Sequence, residues 1–415
     1  MTLAGLTLAM LRERWFANIL HILMLAIGVA AAAALLLVTT QSQDRLARDA
    51  RGIDLVVGAK GSPLQLVLSS VFHADTPTGN IAYADFEALT RDPRIRAAVP
   101  LGLGDSIQGS RIVGTTQAFL AFYNARVADG RSFAAPMEAV LGAETARVIG
   151  AKLGDEFAGA HGLGGAGAPD HGTYKIVGVL APTGTVVDRL VITPLESVWA
   201  VHATHLPPGA GRIGGLQGAE PPDDHAHDSS HVDAPREVTA VLVRTRSPII
   251  GPRLKREINQ STALLAARPA DEAARLFVLV GAGAQAFQTF AYVLIASAAL
   301  SVFATLLASL NERRGDIALL RTMGATRLGV FGVLLGQGLA ISALGVAVGL
   351  ALGHGLLQIA SEISPQAQGL GLTGLTLHPG EIWIVAGGLV AGALAALAPA
   401  IAAYRTDIAR TLAET

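Results

Sequence analysis

The stretch FANILHILMLAIGVAAAAALLLVTT, residues 16–40, contains no formally charged side chain. As a helix with a rise of about 1.5 Å per residue it is about 37 Å long, enough to cross a hydrocarbon core of about 30 Å. Arg12 and Arg14 precede it, as in a cleaved signal peptide, but the apolar segment of a signal peptide has only about 7 to 15 residues. We therefore predict a transmembrane helix that remains as a signal anchor.

Three similar apolar runs lie near the other end of the chain, at residues 287–310, 328–360 and 382–404. Uncharged runs of about 18 residues or more are typical of membrane spans and rare in soluble cores. The composition agrees, because only 15% of the residues are charged, against about 25% in an ordinary soluble domain. We predict an α-helical membrane protein with four transmembrane helices.

Net charge and cysteine content exclude several classes of function. The formal net charge is −1, so nothing indicates a polyanionic partner, and we predict no nucleic-acid binding. The chain contains no cysteine, which rules out disulfides, thiolate metal ligands and a cysteine nucleophile. No Asp, Glu, Lys or Arg lies inside a predicted span, which argues against a proton relay or an ion path.

Arginines flank the predicted spans unevenly. Arg12 and Arg14 precede the first span, four arginines lie between spans two and three, and Arg405 and Arg410 follow the fourth, whereas residues 355–381 contain no Lys or Arg. Positive charge near a span resists translocation. Both termini are therefore predicted in the cytoplasm, and the segment between spans one and two outside it.

That outer segment has the pattern of an α+β domain. Short β-branched runs predict strands at residues 53–57, 173–179 and 238–243. Helices are predicted at residues 83–90 and 144–153, and a helical stalk leading into the second span at 252–280. The predicted fold is thus four transmembrane helices with a large extracytoplasmic α+β domain inserted between helices 1 and 2.

These segments give the predicted domain organisation. Residues 1–40 form a cytoplasmic N-terminal helix and span one, 41–282 the outer α+β domain with helical stalks, and 283–310 span two. Residues 311–327 form a cytoplasmic connector, 328–358 span three, 359–381 a short outer loop, 382–404 span four and 405–415 a cytoplasmic tail.

A His- and Asp-rich stretch in the outer segment is the candidate metal site. Its candidate ligands are Asp224, His225, His227, Asp228 and His231. Imidazole and carboxylate groups are ligands for zinc or copper, but the same composition also occurs in solvated loops that bind nothing. Both readings stay open, and zinc held here would serve capture or sensing and not catalysis.

Glycines recur at every fourth position in two of the spans, at Gly345, Gly349 and Gly353 in the third and at Gly388 and Gly392 in the fourth. Small residues at this spacing let helix backbones approach closely. The spacing does not say whether the facing helix belongs to the same chain or to a second copy. Intramolecular packing and a dimer interface are both compatible with it.

No complete phosphate-binding loop of the form G-x-x-x-x-G-K-[ST] occurs in the chain. The nearest match, GAKGS at residues 58–62, places Gly61 between Lys60 and Ser62 and lies in the outer segment. Any ATP that drives this protein must therefore be bound by another chain.

The connector NERRGDIALLRTMGATR, residues 311–327, concentrates charge between two apolar spans. Asn311 is predicted to cap a short helix, Gly324 to end it in a left-handed turn, and Thr326 to cap the next span. One apolar side of this helix is formed by Ile317, Leu320 and Met323. An alternative is that the arginines serve only to fix the membrane topology. That alternative accounts for the charge of the connector but not for a capped helix with one apolar side.

This connector resembles that of the MacB/FtsX/LolC class of ABC transporter permeases, usually E-R-R-x-E-I-x-x-L-R-x-x-G-A, with Asp316 where Glu is usual. Three other segments are similar to that family. They are LAMLRERWFANILHILMLAIGVA near the N-terminus, TYKIVGVLAPTGTVVDRLVITPL at residues 173–195 and PAIAAYRTDIARTLAE near the C-terminus, with Ile408 where Pro is common. The resemblance covers nearly the whole chain.

The resemblance implies a type VII, mechanotransmission permease subunit of the bacterial inner membrane, with cytoplasmic termini and a periplasmic domain. It implies no enzyme activity and no cofactor in this chain, because a separate cytoplasmic ABC ATPase dimer would bind ATP and Mg²⁺. It also implies a second permease copy, in a homodimer or heterodimer, a periplasmic lipoprotein or adaptor, and contact with membrane lipid.

The surface for the ATPase would be the connector together with the N-terminal helix. The connector residues that the resemblance assigns to ATPase coupling are Glu312, Arg313, Arg314, Asp316, Ile317, Leu320, Arg321 and Gly324.

The substrate is open within this class, which covers export, extraction or release of a periplasmic or membrane substrate. Residues 56–73, VVGAKGSPLQLVLSSVFH, resemble a segment of permeases from zinc-regulated loci, which agrees with a zinc-linked role. The alternative is a non-transporting, FtsX-like regulator of a periplasmic cell-wall hydrolase, for which the outer segment is larger than expected. A membrane enzyme is not predicted, because no nucleophile and base are arranged together.

Overall fold

Two units make up the chain in the computed structural model, which describes residues 5, 7, 12–161, 173–203, 236–312, 315, 321–364 and 371–405. The first unit comprises Met1–Arg45 and Val278–Thr415, and the second comprises Leu46–Phe277.

The helices of the described residues are, in chain order, α1 (Trp15–Asp49), α2 (Pro63–Ser70), α3 (Tyr83–Arg91), α4 (Ala118–Phe122), α5 (Ala143–Ile149), α6 (Leu195–Ala203), α7 (Ile250–Ser261), α8 (Pro269–Glu312), α9 (Arg327–Ile363) and α10 (Glu381–Tyr404). The strands are β1 (Leu55–Ala59), β2 (Ile81–Ala82), β3 (Ile95–Ile107), β4 (Ser110–Thr115), β5 (Val127–Gly130), β6 (Glu138–Leu141), β7 (Glu156–Ala158), β8 (Ala160–His161), β9 (Thr173–Leu180), β10 (Leu190–Pro194), β11 (Glu237–Val238), β12 (Ala240–Thr245) and β13 (Leu264–Ala267). A 3₁₀ turn lies at Val186–Arg189.

Four helical segments are long and apolar enough to cross a membrane: Trp15–Asp49, Gly281–Glu312, Arg327–Ile363 and Glu381–Tyr404. Each contains one of the predicted apolar runs. A helix is expected there because hydrocarbon offers no partner for an unpaired backbone group. The predicted fold class, four such helices with an α+β domain between the first and the second, is confirmed.

The predicted stalk at residues 252–280 is not one helix. Helix α7 ends at Ser261, strand β13 follows, and α8 begins only at Pro269. The four residues of β13, LLAA, contain no β-branched side chain, so the local pattern does not distinguish strand from helix. Antiparallel pairing with β1, which joins Val56 to Ala267 and Ala59 to Leu264, makes this segment a strand.

Small residues set the packing of the membrane helices in the first unit. A Cβ atom added at Gly349 of α9 would lie 2.6 Å from Cβ of Val29 and 2.8 Å from the carbonyl oxygen of Ala26, both in α1. Gly345 and Gly353, one turn away on either side, also face α1. Gly388 and Gly392 of α10 face Val346 and Ser342 of α9. The glycine stripes therefore face helices of the same chain.

The second unit is built on a mixed sheet. Its strands follow the order β13-β1-β12-β3-β4-β10-β6-β9-β5, with β7 paired to β9 and β8 paired to β3. The pairs β4–β10 and β6–β9 are parallel, and the other pairs of this sheet are antiparallel. A separate two-stranded ladder joins β11 to β2. The predicted run 238–243 is thus divided between two strands.

Side chains on both faces of this sheet are buried. Successive residues of a strand point to opposite faces, and Val56 accordingly packs in one apolar cluster while Leu55 and Val57 pack in another. Residues of α2 and α4 belong to the first cluster, and residues of α3 and α7 to the second. Burial on both faces explains why β1 and β12 are continuous apolar runs without alternation, whereas β9 alternates buried and at least partly exposed residues.

Gly349→Leu is expected to lower the thermal unfolding temperature of the detergent-solubilised protein. The new side chain has no room against Val29 and the Ala26 backbone, and overpacking of this kind destabilises by about 1 to 3 kcal/mol. Gly355→Leu in the same helix is the matched control, because nothing lies within 4 Å of a Cβ at that position. Equal unfolding temperatures for the two variants would contradict the close contact of α1 and α9.

Candidate functional site

The predicted coupling connector lies between α8 and α9. Glu312 is the last residue of α8, and its carboxylate forms an ion pair with the guanidinium of Arg14, which directly precedes α1. Both side chains are partly exposed, so the pair contributes at most about 1 kcal/mol. It nevertheless brings the N-terminal segment and the connector, which the resemblance assigned to one surface, into direct contact.

Five of the predicted coupling residues lie outside the described residues, namely Arg313, Arg314, Asp316, Ile317 and Leu320. Glu312, Arg321 and Gly324 are described. The coupling role of all eight residues stays a prediction.

The predicted capping role of Asn311 is wrong. Asn311 lies inside α8, which runs without a break from Pro269 to Glu312. A capping Asn needs extended backbone at its own position. Asn311 is the next-to-last residue of α8, so its backbone is helical.

The two other predicted helix signals of the connector are present. Gly324 has a φ angle of 101°, in the region that favours glycine, and its N–H donates to the carbonyl oxygen of Arg321 at 3.1 Å. Thr326 is the N-cap of α9, and its Oγ1 accepts a hydrogen bond from the N–H of Gly329 at 3.0 Å. The cap and the turn fix the direction in which the chain enters the third span.

Met323, the last member of the predicted apolar side, is 85% exposed. The residues around it, 322–328, are exposed as well. A methionine side chain adapts its shape to a contacting surface because it is unbranched and polarisable. The described end of the connector therefore exposes an apolar side chain at its surface.

Apolar packing holds the helices behind the connector together. One buried cluster joins Val302, Leu306 and Leu310 of α8 to Leu334 and Ile341 of α9 and to several alanines of α10. The connector thus begins and ends on helices that share a core. All three helices contribute side chains to that core.

His21 joins α1 to α8 inside the bundle. Its Nε2 lies 2.9 Å from Oγ1 of Thr305, and its Nδ1 lies 3.2 Å from Oγ of Ser301. A hydroxyl can donate or accept, so both ring nitrogens have a partner. Only tertiary contact reveals this arrangement, because His21 and the two hydroxyls are far apart in the sequence.

At the other end of the bundle, polar side chains hold the loop that precedes α10. Nδ1 of His354 donates to the carbonyl oxygen of Gly374 at 2.6 Å, and its Nε2 lies 3.0 Å from Oε2 of Glu381. Gln41 of α1 exchanges two hydrogen bonds with the backbone of Thr373. These contacts couple α1 to the α9–α10 loop, and sequence reasoning missed them because Gln41 lies just beyond the predicted first span.

The candidate zinc ligands lie outside the described residues: Asp224, His225, His227, Asp228 and His231. Among the described residues, no group of three or more His, Cys, Asp or Glu side chains could hold a metal ion.

His73, at the end of the segment that resembles permeases of zinc-regulated loci, is buried at a left-handed φ of 52°. Neither ring nitrogen has a hydrogen-bond partner in the described part of the chain. Burial lowers the pKa of His73 well below its ordinary value, and the nearby Arg111 and Arg189 lower it further. Burial also lowers the pKa of the Arg111 guanidinium to about 10. His73 is therefore a neutral group beside cations, and it is not part of a metal cluster among the described residues.

Two family models match the chain. The MacB-like periplasmic core domain matches residues 19–260, and the FtsX-like permease C-terminal domain matches residues 289–408. No curated protein matches the chain.

The solved structures to which the chain is similar include the periplasmic region of MacB from Actinobacillus actinomycetemcomitans. It is 10% identical, with a TM-score of 0.33, and the match covers 55% of this chain and 94% of that one. The extracellular domain of the noncanonic ABC-type transporter YknZ from Gram-positive bacteria is 13% identical, with a TM-score of 0.30, and the match covers 52% of this chain and 99% of that one.

The first family model spans more than half of the chain, from the first apolar helix to α7, and the second spans the three remaining apolar helices and the connector. With four helices able to cross a membrane, the protein is an inner-membrane protein with a periplasmic domain. The chain belongs to the MacB/FtsX-like family of ABC transporter permeases.

Proposed function

We propose that this permease transmits ATP-driven motion of a separate cytoplasmic ATPase to its periplasmic domain, where the motion exports, extracts or releases a periplasmic or membrane substrate. Family membership implies the ATPase partner, and the sequence has no P-loop of its own. The observation that supports the coupling role most directly is the exposed Met323 between a left-handed turn at Gly324 and the α8 helix end.

The proposed transmission follows the helices. Helix α8 is continuous from Pro269, two residues after strand β13, to Glu312 at the connector. At about 1.5 Å per residue a helix of 44 residues is about 66 Å long. ATP binding shifts the periplasmic domain only if the ATPase binds two conformations of the permease with different affinity. A connector that joins two core-packed helices lets that difference act on both.

The proposed assembly contains two permease copies, an ATPase dimer and a periplasmic lipoprotein or adaptor. The glycine stripes of α9 and α10 contact α1 and α9 of the same chain, so they leave other helix faces for a second copy. We do not propose the FtsX-like regulator, because the region between the first two spans matches the MacB-like core domain and is large.

Met323→Asp and Leu320→Asp are each expected to abolish the permease-dependent change in ATP turnover when the protein is reconstituted with its cognate ATPase. A central apolar anchor contributes about 2 kcal/mol or more to an interface, which corresponds to about 30-fold weaker binding. Leu375→Asp is the matched control, because Leu375 is also exposed, at 80%, and lies in the loop at the other end of the bundle.

The ATPase assay is read together with pull-down of the ATPase by the permease. Normal coupling in Met323→Asp and Leu320→Asp, or an equal loss in Leu375→Asp, would contradict the proposed contact. Arg321→Ala and Ile317→Asp test the rest of the connector in the same assay.

Zinc binding by the His- and Asp-rich stretch is a separate proposal and rests on its composition alone. Equilibrium dialysis of the detergent-solubilised protein against zinc is expected to show sites that disappear when residues 221–233 are deleted. Equal zinc uptake by the full chain and the deletion variant would end this proposal. His73→Asn is the control, because His73 belongs to no metal group among the described residues.

A further inference from the structure

A cavity of about 430 Å³ opens in the second unit, where the end of α1, the turn after α4, strand β12 and the loop after β9 come together. Four arginines line it: Arg48, Arg51, Arg126 and Arg244. No Asp or Glu is among its lining residues in the described part of the chain. The volume falls within the range of about 300 to 1,000 Å³ that is typical of small-ligand sites.

Arg244 is fixed in the wall of this cavity. Its Nε donates to the carbonyl oxygen of Gly52 at 2.8 Å, and its Nη2 donates to that of Phe122 at 3.1 Å. The guanidinium carbon lies 4.2 Å from the centre of the Phe122 ring. One guanidinium nitrogen still has N–H groups to offer a ligand, since these bonds use only Nε and Nη2.

The other three arginines have no hydrogen bond or ion pair from their side chains to a described residue. The negative end of the α1 dipole explains the presence of positive charge at two of the positions, because Arg48 lies in the last turn of α1 and Arg51 just after it. It does not account for Arg126, which precedes β5, or for Arg244 in β12. What the four arginines have in common is that they line the same cavity.

The neutral part of the lining includes two threonines and a tyrosine. The hydroxyl of Thr183 donates to Oδ1 of Asp188 at 2.8 Å, and its Oγ1 lies 2.7 Å from Oγ1 of Thr185. Thr183 and Thr185 are held in a loop whose N–H groups at Thr183 and Gly184 donate to the carboxylate of Asp188, each at 2.8 Å. Tyr123 is buried, and its hydroxyl has no hydrogen-bond partner among the described residues. Burial raises the pKa of Tyr123, so the hydroxyl keeps its proton.

We propose that this cavity binds a phosphate-bearing anion. Guanidinium groups recognise phosphate through paired N–H donors, and such charge-assisted bonds are about twice as strong as neutral ones. The cavity, at about 430 Å³, has room for a further group attached to the phosphate. An anionic phospholipid headgroup and a soluble phosphate ester share this chemistry. The site is separate from the connector and goes beyond the proposed coupling function.

Two probes distinguish the two sources in the full-length protein. Glycerol 3-phosphate is titrated into detergent-solubilised protein by calorimetry. Phosphatidylglycerol is tested by reconstitution into nanodiscs of phosphatidylcholine with and without it, followed by mass spectrometry of the lipid retained on extraction.

The variant is Arg51→Gln combined with Arg126→Gln, which removes two side chains that have no partner to lose. Loss of two charge-assisted contacts is expected to weaken binding at least about tenfold. The matched control is Arg147→Gln, which removes the same charge from an exposed position in α5, outside the cavity.

Calorimetric binding of glycerol 3-phosphate that the double variant loses supports a soluble ester. Phosphatidylglycerol retention that the double variant loses supports a lipid headgroup. Binding of neither probe, equal binding by the native protein and the double variant, or an equal loss in Arg147→Gln overturns the proposal.

Stability provides a second check on the same variants. Removing like charges from one cavity lowers their mutual repulsion, so the double variant is expected to unfold at the same temperature as the native protein or above it.

Arg51→Lys keeps the charge but loses the paired donors, and is expected to bind with an affinity between those of the native protein and the double variant. Full affinity in Arg51→Lys and in the double variant overturns the proposal. ATPase coupling is measured separately, so either result stands without the other.

Discussion

Hydrocarbon offers no hydrogen-bond partner to a peptide group, so each segment that crosses it must satisfy its N–H and C=O groups within itself. The four apolar helices meet this requirement, and α10 even continues through Pro399. Among the described residues, irregular backbone lies outside these four helices. The turn at Gly324, the loop before Glu381 and the whole mixed sheet therefore occur where the charge-free runs end. The position of the connector therefore follows from where the apolar helices end, as well as from its own sequence.

Close packing within the bundle depends on small residues, because apolar surface gains little from leaving lipid and contact distance decides the strength of association. Because Gly349 has no side chain, the backbones of α9 and α1 lie close together there. Gly392 allows the same close approach of α10 and α9. Polar contacts then tie the two ends of the bundle. Arg14 pairs with Glu312 at one end, and Gln41 holds Thr373 at the other. Polar contacts are thus present near both ends of α1.

The spans and the helix signals after the connector could be predicted from the sequence, because span length, a helix cap and a glycine turn are local signals. The cap at Thr326 and the left-handed Gly324 were readable from a few adjacent residues. The prediction for Asn311 failed because an asparagine can stand either at a helix cap or inside a helix. Which of the two applies depends on where the preceding helix ends, and that end is not readable from the residue itself. The stalk prediction failed at β13 for a similar reason, since a four-residue apolar run becomes a strand only through its pairing with β1.

By itself the sequence determined the number of membrane helices, the α+β class of the inserted domain and the position of the connector, because each follows from the composition of a contiguous stretch. Tertiary structure alone decided the strand order, the partners of the glycine stripes and the gathering of Arg48, Arg51, Arg126 and Arg244 around one cavity. These arginines come from the end of a helix, a turn and a strand that are distant in the chain. Pairing across a sheet joins residues by hydrogen bonds that no local pattern encodes, and that is why the cavity is visible only once the chain has folded.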